Sequence, residues 1–117
     1  MTVDEAVRDL LALSTDIRQV AVLGPGGDLL GAGPGAAPGG LAAVCERFWA
    51  AAAARAAGLG DAGLDHIIVH EGAGAVAMVA AHGRRIAAVT GPRPAVGLLL
   101  FDLRTCLSDA FAEEETS

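Results

Sequence analysis

A chain of 117 residues with 53% hydrophobic side chains is one domain's worth of sequence. Its net charge of −6 excludes the basic footprint that a phosphate backbone requires, so nucleic acid is not an expected partner. All eight basic residues are arginine, and the lack of lysine removes Walker-A phosphate binding, Schiff-base chemistry and Ser–Lys hydrolysis.

Thr2-Val3-Asp4-Glu5 is a capping-box pattern, with Thr2 as N-cap and Glu5 three positions on. Val3, Ala6, Val7, Leu10 and Leu11 then recur at helical spacing, while Asp4, Glu5, Arg8 and Asp9 occupy the opposite side. A first helix from Val3 to Leu13 follows. This N-terminal stretch is acidic early and has no basic n-region, so it does not read as a secretory signal.

Ile17–Leu23 is rich in β-branched residues and predicts a strand, with a shorter one over Asp28–Ala32. Gly24-Pro25-Gly26-Gly27 between them tolerates positive φ and predicts a hairpin turn. A glycine-rich turn can cradle phosphate, but that requires a strand on one side and a helix N-terminus on the other. Here strands flank both sides and no Lys-Ser/Thr pair follows. Gly33–Gly40 (GPGAAPGG) has the composition of a flexible connector.

Leu41–Ala57 predicts the second helix, with Gly58 as its C′ residue. Leu41, Cys45, Phe48, Trp49, Ala52 and Ala56 gather on one side as an ordinary core face. The other side carries Ala43, Glu46, Arg47, Ala50, Ala51 and Ala54. A solvated helix face normally carries charge along most of its length, whereas this one is mainly methyl groups. Alanine is a good helix former and tolerable in water, which is one explanation. The reading preferred here is a second buried surface, flat enough for a partner subunit to approach closely. With 16 glycines, three Phe, one Trp and no Tyr, the core side chains are small and bury less area per residue. Self-association would bury more, although an Ala/Gly bias in genome composition explains the same counts.

Leu64–Thr90 holds three short apolar segments, LDHIIV, AVAMVAA and RIAAVT, separated by EGAG and HGR. Turns of that composition predict an antiparallel three-stranded meander. Alternation in its first strand puts His66, Ile68 and His70 on one face and Ile67 and Val69 on the other. A lone strand histidine is ordinarily a polar boundary residue, and two histidines four residues apart lie ~13 Å apart along a strand, too far to share a metal. Pairing of this strand with its twofold copy about Ile68 would bring His66 opposite the second copy's His70. Dimerisation would then respond to pH or divalent metal. His82 and Arg84-Arg85 fall at the second turn, which predicts solvated side chains.

Pro94–Ala112 predicts the last helix, with Pro94 suited to its start. Val96, Leu99, Leu100, Leu103, Leu107, Ala110 and Phe111 mark its buried stripe, and Asp102, Arg104 and Asp109 its wet side. Cys45 and Cys106, both in helices, read as reduced, buried small hydrophobes. No apolar run reaches the ~18 residues of a membrane span, so no membrane insertion is expected. Residues 1–112 form the expected domain, and Glu113-Glu114-Glu115-Thr116-Ser117 an acidic tail. The expected setting is cytoplasmic.

The element order α-β-β-α-β-β-β-α resembles the roadblock/LC7 family of dynein light chains and their bacterial relatives, over nearly the whole chain. VAVLGPGGDLLGAG carries the resemblance in the hairpin, DHIIVHEGAGAVAMVAAHGRRIAAVTGP in the meander, and VGLLLFDLRTCL at the last helix, where Gly97-Leu98 is similar to the family's helix entry. The Gly33–Gly40 connector departs from it, being longer and looser than a minimal turn. The resemblance implies an α+β fold: a five-stranded antiparallel sheet in the order 2-1-5-4-3, the middle helix on one face and the first and last on the other. PAS-like and profilin-like domains share a related layout. It further implies a homodimer, or a heterodimer with a related roadblock subunit, formed through the middle helix and third strand. On that basis the expected interface comprises Ala43, Glu46, Arg47, Ala50, Ala51 and Ala54 with His66, Ile68 and His70.

The function so implied is a non-enzymatic regulatory scaffold that binds a small Ras-like GTPase and needs no cofactor or metal of its own. An arginine finger from Arg47 or Arg55 would suit that role, although a helix-surface arginine is ordinarily just solvated. The alternative is a small-molecule sensor with a ligand between the sheet and the middle helix, a pocket for which the chain offers few aromatics. An enzyme is not expected, since no GxSxG elbow, HExxH, CxxC pair or Ser/His/Asp set is present.

Overall fold

The first helix begins where its cap dictates. The Glu5 backbone N–H donates to the Thr2 hydroxyl at 3.2 Å and the Thr2 N–H donates to the Glu5 carboxylate at 3.4 Å, closing both halves of the capping box. The structure, a computed structural model, describes residues 2–33, 38–58, 65–81 and 83–112. Most of the expected connector (34–37), the loop 59–64, His82 and the acidic tail 113–117 lie outside the described residues.

The elements are α1 (Val3–Leu13), β1 (Ile17–Leu23), β2 (Leu29–Gly33), α2 (Pro38–Gly58), β3 (His66–Glu71), β4 (Gly74–Ala81), β5 (Arg84–Thr90) and α3 (Val96–Ala110). Both ends of β2, α2 and α3 move from the sequence expectation, and their starts have physical reasons. β2 starts one residue late because Asp28 belongs to the turn, where its carbonyl accepts the Gly24 N–H at 2.8 Å and Gly27 takes φ +84°. α2 starts three residues early, at Pro38, whose missing N–H costs nothing in a first helical turn. α3 starts at Val96 after an extended Ala95, whose carbonyl accepts the Leu99 N–H at 2.8 Å.

The five strands pair antiparallel throughout in the order β2-β1-β5-β4-β3. Gly83, at φ +77°, makes the tight turn that sets Ala81 opposite Arg84 in the β4–β5 pair. Strand alternation then sorts side chains into two cores. Val20, Val22, Ala77, Val79, Ile86 and Ala88 face α1 and α3, which pack against each other on that side. Ala21, Leu23, Met78 and Ala87 face α2 and meet Leu41, Ala42, Cys45 and Trp49. The layers and strand order are those the resemblance implied.

Arg84 and Arg85 correct the expectation of a solvated turn. Both belong to β5, and alternation sends them to opposite faces. The Arg84 guanidinium lies 3.8 Å from the centroid of the Phe111 ring at the end of α3. Arg85 pairs with Glu46 of α2 and lies 5.5 Å from the Trp49 ring centroid. Each fixes a helix to the sheet, one per face.

Candidate interaction surface

Alanine on nearly every side of α2 leaves the helix free to rotate about its axis until the sheet selects a face. The selected face is Leu41, Ala42, Cys45 and Trp49 with Ala53 at its border, turned toward Ala42 and Ala53 relative to the sequence projection. Phe48 thereby moves to the flank and is 43% exposed, which corrects its expected core position. Glu46 moves to the opposite flank, half-buried, and reaches down to Arg85. It is therefore not part of the outer face. The outer face keeps Ala43, Arg47, Ala50, Ala51 and Ala54, all exposed, with Arg55 beside them.

β3 is the outermost strand on its side, so its free edge presents backbone N–H and C=O groups without a partner strand among the described residues. Its alternation matches the expectation. Ile68 packs against the α1/α3 core, and exposed His66 and His70 share that side. Ile67 packs on the α2 side, and Val69 is half-buried there. The expected interface set is thus divided by the sheet: the alanines of α2 lie on one face and the His66–Ile68–His70 row on the other. They can act together only around the β3 edge. His66 Nδ1 lies 3.5 Å from an Arg104 guanidinium nitrogen of α3.

α2 sits mainly over β1, β2 and β5, and of β4 only Met78 is fully buried in its core. Toward β3 that sheet face is only partly covered among the described residues. Ile67, Val76, Ala80 and Val89 border the core and are only partly buried, and Val76 and Val89 line an open cleft of about 200 Å³ with Arg18. Sequence reasoning missed this half-covered face, because which strands a helix lies over is a tertiary choice.

Little in the way of chemistry surrounds the surface. Burial pushes the Cys45 thiol up to about 11 and the Cys106 thiol up to about 12, so neither is a nucleophile at neutral pH. Among the described residues no group of three His, Cys, Asp or Glu could hold a metal ion, and no helix is long and apolar enough to cross a membrane. Between α2 and the sheet, where a sensor would hold its ligand, fully buried Leu23 and Met78 pack against Trp49.

The fold is similar to solved structures across its whole length. A roadblock/LC7 domain from Streptomyces avermitilis superposes with a TM-score of 0.85 at 12% identity, covering 100% of both chains. MglB from Myxococcus xanthus gives 0.75 at 14% identity, covering 97% of this chain and 92% of that one. The gliding protein MglB from Thermus thermophilus gives 0.79 at 15% identity, covering 97% and 88%. No protein-family model and no curated protein sequence matches the chain. The chain has the roadblock/LC7 fold.

Proposed function

We propose that this protein is a dimeric, non-enzymatic regulatory scaffold that binds a small Ras-like GTPase. The observation that carries the reading is the half-covered sheet face. α2 leaves Ile67, Val76 and Val89 partly open, and its own outward side is mainly methyl groups, with Arg47 among them and Arg55 beside them. A second copy laid alongside would cover both at once, with the free edges of the two β3 strands able to pair. An interface of small side chains lets helices approach closely, so shape rather than anchor residues would set its affinity. The GTPase partner rests on the roadblock/LC7 fold and on the lack of catalytic groups near the surface among the described residues.

Sedimentation at micromolar concentration tests the dimer. The wild-type chain runs at twice its 11.6 kDa mass, and Ala50→Arg or Ala51→Glu returns it to one. A strictly monomeric wild type, or variants that stay dimeric, removes the proposed interface. Adding the dimer to a purified Ras-like GTPase and following phosphate release tests the second half. A scaffold that acts through the partner's own residues keeps its effect when Arg47 and Arg55 are each changed to Ala, whereas an arginine finger loses it.

A further inference from the structure

We propose that the groove between the end of α1 and the start of α3 is a docking site for a basic amphipathic helix of a partner protein. Three large apolar side chains stand in solvent on this side of the molecule: Leu13 is 78% exposed, Leu98 62% and Phe101 64%. Single exposed leucines need no explanation, but Leu13 and Leu98 line one cleft, and Phe101 stands about one turn on from Leu98 along α3, so apolar surface gathers here as at a partner site. Leu98 and Phe101 are spaced i, i+3 on the outward side of α3, beyond the stripe that Leu99, Leu103 and Leu107 bury. Leu13 and Leu98 both line a cleft of about 190 Å³, with room for one large anchoring side chain.

Charge selects the occupant. Asp16 and Asp102 line the same cleft, and Asp9 and Asp109 line the groove as it continues between the two helices. Among the described residues no basic side chain lines either part. Asp102 accepts the Ser14 hydroxyl at 2.8 Å, which ties the end of α1 to α3 and fixes the groove's floor. An apolar patch edged by aspartates matches a helix with apolar residues on one face and arginine or lysine beside them. Two packed helices offer a groove into which the ridge of a third can lie. A second copy is a poor occupant, since symmetric pairing sets aspartate against aspartate on chains that each carry −6. An anionic membrane is disfavoured for the same reason. The site stands whether or not the chain dimerises, because α2 lies on the opposite face of the sheet.

The test is an NMR titration of the isotope-labelled protein with a synthetic helical peptide of leucine and lysine in amphipathic register. A peptide with glutamate in place of every lysine is the control. Binding of the lysine peptide in the micromolar range is expected, with shifts centred on Leu13, Leu98 and Phe101, and none from the glutamate peptide. Leu98→Ser with Phe101→Ser should weaken binding at least about tenfold. Both side chains are exposed, so the melting temperature should hold. Asp16→Asn, which keeps the groove's shape, should weaken binding and flatten its salt dependence. No binding, shifts centred on α2, equal binding of the two peptides, or an unaffected double variant would each overturn the proposal. So would loss of self-association in the double variant, which would make a second copy the occupant.

Discussion

Glu5 illustrates how far one exposed side chain can act through the backbone. Its carboxylate is held below its ordinary value of 4.5, first by the hydrogen bond with the Thr2 side chain and then by the Thr2 backbone N–H. The sign follows from linkage. A carboxyl whose folded value is depressed contributes stability that is fully present above its unfolded value and is lost as pH falls through the folded one. The cap therefore supports α1 at neutral pH and weakens below 4.5. Glu5→Gln keeps an acceptor at the box but no charge. Melting curves of this variant between neutral and acidic pH should show a shallower acid decline than the wild type. Equal slopes would mean that the cap is not what titrates.

At the scale of the element, α3 separates core from surface within one turn. Leu103 is fully buried where α3 meets the sheet, whereas Phe101 two residues earlier is mostly exposed. Leu103→Ala should cost about 2–5 kcal/mol, because the site is walled by strand side chains and cannot collapse. Phe101→Ser should change stability by no more than about 0.5 kcal/mol. Chemical denaturation of the two variants checks the contrast. These elements also show what the sequence could and could not disclose. α1 was legible because capping box and periodicity agree, and the meander because glycine turns cut it into strands whose alternation sorts itself. The seat of α2 was not, since a helix with alanine all round has no unique apolar arc until Ala42 and Ala53 meet the sheet. Nor were the roles of Arg84 and Arg85, whose partners Phe111, Glu46 and Trp49 lie far along the chain. Pro38-Gly39-Gly40 reads as connector, yet opens α2, where proline suits a first helical turn. The strand order needed the resemblance, and the exposure of Leu98 and Phe101 went unread although both fall outside the buried stripe.

For the molecule as a whole, small side chains and a half-covered sheet face leave stability for the proposed self-association to add. If the native chain associates and the unfolded chain does not, mass action raises the melting temperature with protein concentration. Scanning calorimetry over a wide dilution series should show that rise in the wild type and its absence in Ala50→Arg. A flat wild-type series would mean that the monomer alone accounts for the measured stability. The sheet itself has a further effect. It stands as a septum between α2 on one side and α1 with α3 on the other, each with its own core and its own arginine tether. A visitor confined to one side would leave the other vacant, so two such visitors would not compete, and a three-body assembly would form in either order.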